Sequence, residues 1–102
     1  MTSDAIASLP LHDAALRSVE LLWRERLVRV HVSALVHEGQ PAEPRVLEFH
    51  DVSAFNTSRV DAWGPSESVL AATSEGSVFK LQMQSGDVLT VKAGGYRFEA
   101  AL

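Results

Sequence analysis

The chain has 102 residues, no cysteine and a formal net charge of −4, a length that accommodates one domain with a thin core. Without cysteine there is no disulfide, no thiol nucleophile and no cysteine-bound zinc. The negative balance argues against a nucleic-acid partner, because phosphate contacts need clustered Lys and Arg. The nearest approach to such a cluster, Trp23 to Arg29 (WRERLVR), is interrupted by Glu25 and reads as a solvated hairpin end.

The start, MTSDAIASLPLHD, carries Asp4 and has neither a basic region nor a long apolar run, so it does not read as a secretory leader. No stretch approaches the roughly 20 apolar residues of a membrane span. The expectation is a cytoplasmic protein with no membrane partner. Residues 1–102 read as a single β-rich domain, with residues 1–8 as candidates for disorder.

Ala14 to Trp23 has two readings. Leu16, Val19 and Trp23 form a helical stripe that Asp13 could cap, while Val19, Leu21 and Trp23 alternate as a strand. The hairpin is adopted, because the short polar link Arg24-Glu25-Arg26 leads into the clearest strand of the chain. The helix stays as the alternative. In that next strand, within Arg26 to His37, Val28, Val30, Val32, Ala34 and Val36 share one face and Arg29, His31, Ser33 and His37 the other. Residues 38–45, with Gly39, Pro41 and Pro44, predict a loop. RVLEFHDV predicts a strand with Leu47 and Phe49 inward. SAFNTSRVDAWGPS predicts an irregular crossing with a short helical turn near Asn56 to Asp61.

The last third splits at Glu75-Gly76, Ser85-Gly86-Asp87 and Gly94-Gly95, pairings that suit tight turns with unusual φ. Between them Phe79, Leu81 and Met83, then Leu89 and Val91, then Phe98 alternate with polar residues. The predicted fold is mostly β: a curved antiparallel sheet forming a sandwich or open barrel, with at most one short helix. The expected core includes Val19, Leu21, Trp23, Val28, Val30, Val32, Leu47, Phe49, Phe79, Leu81, Met83, Leu89, Val91 and Phe98.

Few residues offer chemistry. His12-Asp13 could serve as a metal or acid–base pair, but further ligands at usable spacing are missing, so Asp13 is expected to fix a turn with His12 beside it. His31, His37 and His50 are the candidates for a shared metal. His31 and His37, however, stand six residues apart on one strand face, roughly 20 Å at strand rise, too far to share one ion. His50 could pair with one of them only if its strand lies alongside, so surface histidines are the reading adopted. Ser66 follows Gly64-Pro65, yet Ser68 stands where a nucleophile elbow needs glycine. Gly94-Gly95 lacks a following helix and reads as a turn. No metal and no cofactor are expected. DAWGPSESV, Asp61 to Val69, reads as a corner pinned by a buried Trp63 indole; its functional reading is an exposed Trp63 anchoring a protein interface. Gln82 and Gln84 lie opposite Phe79, Leu81 and Met83, where they could line a polar surface with Lys80, Thr90 and Lys92.

Three segments, LHDAALRSVELLW at Leu11–Trp23, AWGPSESV at Ala62–Val69 and LQMQSGDVLTV at Leu81–Val91, resemble in order and spacing a group of small bacterial proteins. That group carries a Leu-His-Asp start, a Trp-Gly-Pro-Ser centre and a Met-Gln-Ser-Gly-Asp hairpin. More loosely it is similar to immunity proteins of bacterial polymorphic toxin systems, which neutralise a partner toxin by binding and do no chemistry. The resemblance implies a non-catalytic, protein-binding role. Two alternatives stand beside it. One is a small-ligand or enzymatic pocket near His12, Asp13, Trp63 and Ser66. The other is a homo-oligomeric module joined through a strand edge.

Overall fold

The computed structural model describes residues 5–65 and 67–101. A 3-10 turn, Ala5–Ser8, precedes eight strands: β1 (Ala15–Leu22), β2 (Leu27–Ala34), β3 (Glu43–His50), β4 (Ala54–Thr57), β5 (Val69–Glu75), β6 (Val78–Met83), β7 (Val88–Lys92) and β8 (Gly95–Ala100). They form two antiparallel four-stranded sheets, ordered β1-β2-β3-β8 and β4-β7-β6-β5. The β1–β2–β3 meander builds most of the first sheet. The chain then crosses to β4 at one edge of the second sheet, restarts at β5 on the other edge, and returns inward through β6 and β7. Finally β8 rejoins the first sheet beside β3. The fold is the mostly-β sandwich that period-two alternation predicts. Among the described residues, no helix is long and apolar enough to cross a membrane.

Cross-strand register explains the core. Val28 lies opposite Phe49, and Val30 opposite Leu47, so four side chains share one face. On the second sheet Leu81 stands between Ala72 and Leu89, and Phe79 is opposite Val91. Both faces are buried, with Val28, Val30, Leu47 and Phe49 fully inaccessible. Phe49 and Tyr96 of the first sheet meet Phe79 of the second at ring separations of 5.3 and 5.5 Å, the tilted packing that aromatic quadrupoles favour.

Ala14 to Trp23 is resolved as strand and turn: β1 pairs with β2, Val19 opposite Val30 and Leu21 opposite Val28. Their side chains therefore point to the core side of the first sheet, yet Val19, Leu21 and Trp23 are 36%, 50% and 86% exposed. This corrects the expected core. β1 is an edge strand, so its outer apolar row lacks cover from the second sheet, and Trp23 already belongs to the turn.

Three further expectations change. Of residues 1–8, read as candidates for disorder, residues 1–4 lie outside the described residues, whereas Ala5–Ser8 form a 3-10 turn whose Ile6 is buried in the core together with Leu11. The loop expected over 38–45 ends at Ala42, because Glu43, Pro44 and Arg45 already pair with Ala34, Ser33 and Val32; proline is tolerated near a strand start. No helical turn forms at 56–61. Asn56 and Thr57 belong to β4, and the amides of Val60 and Asp61 go to the Asp87 carboxylate instead of to carbonyls one turn back.

The Gly94-Gly95 turn needs glycine for room rather than for φ. A Cβ on Gly94 would stand 2.9 Å from the Asp51 Cβ, and one on Gly95 2.8 Å from the His50 ring.

Candidate functional site

The three sequence motifs meet at one place. The Ala14 N–H donates to the Leu11 carbonyl at 2.9 Å, closing a tight turn in which Asp13 adopts φ +66°. Aspartate enters this left-handed region more readily than most residues. The turn aims β1 at the start of β5. Asp13 N–H donates to Val69 O at 2.8 Å, Val69 N–H to Ala14 O at 2.9 Å, and Leu16 N–H to Glu67 O at 2.8 Å. On the other side of that segment, Gln84 N–H donates to Ser68 O at 2.9 Å. Residues 67–69 are thus stitched between the first motif and the third.

Side chains reinforce the stitch. Gln84 Nε2 donates to Asp13 Oδ1 at 2.5 Å, across 71 residues of sequence. His12 Nδ1 lies 2.8 Å from the Leu70 carbonyl, and its Nε2 lies 3.5 Å from Asp13 Oδ2. Both ring nitrogens therefore face acceptors, and the His12 and Asp13 side chains are 68% and 59% exposed. The pair decorates a surface turn.

The middle motif is held by a residue that sequence reasoning treated only as a local turn former. The β6–β7 hairpin turns through Gln84, Ser85 and Gly86, with Gly86 N–H bonded to Met83 O and Gly86 at φ +96°, a three-residue loop of the kind that needs a left-handed residue at its end. It presents Asp87 inward, 2% exposed. The carboxylate accepts from Val60 N–H at 2.7 Å, Asp61 N–H at 3.1 Å, Ser85 Oγ at 2.8 Å and Ser58 Oγ at 3.1 Å. The Val60 amide leads these donors in holding Asp87 well below the usual carboxylate range, against the opposing effect of burial. Ser85 was read from the sequence only as a turn residue, in which role its Oγ accepts from the Asp87 N–H, and Ser58 was not singled out. The Ser-Gly-Asp turn hinted at an amide acceptor, but its partners lie 26 and 27 residues upstream.

Trp63 ends the lashed loop. Its N–H donates to Ser85 O at 3.0 Å, and its ring lies against Gly86, where an added Cβ would meet Cε3 at 2.9 Å. The side chain is not the buried pin expected for this corner: it is 76% exposed. The corner is pinned by Asp87, and the indole rests on top. Val60, three residues earlier, is also largely exposed.

The other proposed residues separate. Gln82 sits on the outward face of β6 between Ala71 and Val88, away from the junction, with Lys80 and Thr90 on the same face. Ser66 lies outside the described residues. His31 pairs with Glu20 at 2.5 Å, and His50 lies 3.5 Å from Asp51. Among the described residues, no group of three or more His, Cys, Asp or Glu side chains is placed to hold a metal ion.

No family model matches the chain, and no curated protein matches it. Among solved structures, the crystal structure of an uncharacterized protein from Neisseria gonorrhoeae is similar, with a TM-score of 0.57 over 88% of this chain and 93% of that chain, at 9% identity. At that identity the likeness shows a shared β-sandwich fold.

Proposed function

We propose that the chain is a non-catalytic, cytoplasmic binding protein that engages a partner protein through the surface around Trp63, in the manner that a resemblance to immunity proteins implies. One observation carries the reading: a tryptophan 76% exposed, yet seated on a glycine and tethered by its own backbone. A large apolar side chain held still in solvent loses little conformational freedom on association, and tryptophan is enriched among the residues that dominate interface energies. Val60 extends the apolar area, and Asp13, His12 and Gln84 supply polar groups for a rim.

Affinity capture with the wild-type chain and with Trp63→Ala tests this, followed by titration of the purified captured protein. The expected result is one specific partner whose affinity falls at least about tenfold for Trp63→Ala, an ordinary anchor-residue loss. A partner bound equally by both chains, or no saturable partner at all, overturns it. This reading is preferred over the pocket alternative because the His12 and Asp13 side chains, engaged with the Leu70 carbonyl and the Gln84 amide, stand on an exposed turn rather than in a concave site.

A further inference from the structure

A second site lies at the other end of β1. There the β1–β2 turn and the β3–β4 connection border a half-open groove of about 450 Å³. Its origin is a parting of the chain. Val52 N–H donates to Arg26 O at 2.9 Å, fastening the connection to the hairpin turn of the first sheet. One residue later Ser53 N–H donates to Lys92 O at 2.9 Å, drawing the chain into the second sheet. Beside these two attachments Leu21, Trp23, Val52 and Phe55 are among the residues that line the open space.

Arg26 is the one charged residue among those lining the groove. Among the described residues no hydrogen bond or ion pair engages its guanidinium, as is also true of the exposed Arg17 and Arg24 outside the groove, whereas Arg29, Arg45, Arg59 and Arg97 all face carboxylates. Its backbone is at φ +57°, a conformation that disfavours a residue with a β-carbon and suits glycine. The turn alone therefore gives no reason for arginine at this position.

We propose that the groove binds a small amphipathic carboxylate, its apolar body against Leu21, Trp23, Val52 and Phe55 and its carboxylate on the Arg26 guanidinium. The volume lies within the range of small-molecule sites, and such sites pair apolar walls with a few placed polar groups. A guanidinium presents a planar fork of donors that matches both oxygens of a carboxylate. On a chain of net charge −4, one unpaired cation among the residues lining an apolar groove selects the anionic member of a series of equal apolar length.

Decanoate, decanol and decyltrimethylammonium provide that series, each titrated into the full-length ¹⁵N-labelled chain below its aggregation limit. Decanoate is expected to shift the Leu21, Trp23 and Phe55 amides saturably at or below about 1 mM. The other two should bind at least about tenfold more weakly. Arg26→Gly keeps the turn, since glycine adopts its φ freely. It should lose the preference for decanoate while retaining the weaker decanol response. The proposal is overturned by an absence of saturable shifts, by equal affinity for all three amphiphiles, or by Arg26→Gly binding decanoate as the wild type does. Shifts in the same amides that follow protein concentration, with a doubled mass, would assign the groove to a second copy of the chain and overturn it as well.

Discussion

The Trp63 indole lies so close over Gly86 that a single added methyl group would stand 2.9 Å from its Cε3. The β6–β7 turn and the exposed aromatic of the 58–64 loop are therefore one unit. Gly86→Ala must both move the ring and place a β-carbon at φ +96°. It is expected to destabilise the fold by about 1–2 kcal/mol and to shift the Trp63 indole N–H resonance. An unmoved resonance with unchanged stability would show that the ring does not rest on the turn.

Asp87 ties the same loop from beneath. Asp87→Asn turns one accepting oxygen into a donor facing amide and hydroxyl donors, so the denaturation midpoint is expected to fall by on the order of 5–10 °C at neutral pH.

The pH dependence of that difference has a definite sign. The Asp87 pKa is depressed in the folded state, chiefly by the Val60 amide. Its contribution is therefore full above the unfolded carboxylate value near ~3.9 and is lost as pH falls below that value towards the folded pKa. Melting curves of wild type and Asp87→Asn from pH 7 to pH 2 should converge only below about pH 4. Glu43, whose pKa is lowered by the hydrogen bond from Arg45, adds acid sensitivity to both proteins and cancels in the comparison. Convergence already at pH 6 would remove Asp87 from this role.

Burial decides between two apolar side chains that alternate equally well in sequence. Phe79 is 8% exposed and packs on Phe49 and Tyr96, so Phe79→Ala should cost about 3–5 kcal/mol in a denaturant melt. Leu21 is half exposed, and Leu21→Ala should cost less than about 1 kcal/mol. Similar losses for both would mean that β1 is covered.

Asp13 tests the first turn. Its φ of +66° is tolerated by asparagine and strongly disfavoured for a β-branched residue. Asp13→Asn should melt close to wild type, and Asp13→Val should be less stable by about 1–2 kcal/mol. Equal stability of the two variants would remove the left-handed turn as the reason for aspartate here.

Strand positions were legible because successive side chains on a strand point to opposite sides, and that rule needs no partner. Val28, Val30 and Val32 declare a buried face, and Ser85-Gly86-Asp87 declares a turn, from local chemistry alone. Which apolar rows become core was not legible. Val19 and Leu21 alternate as faithfully as Val28 and Val30, but β1 lies at a sheet edge, and strand order is a property of the whole chain. The role of Asp87 was hidden for the same reason, since two of its donors are amides 26 and 27 residues upstream. Periodicity and turn residues record how each residue meets its neighbours in sequence. The junction beneath Trp63 and the groove beside Arg26 exist only where distant backbone segments are brought within hydrogen-bond reach, and long-range closure of the two sheets decides that.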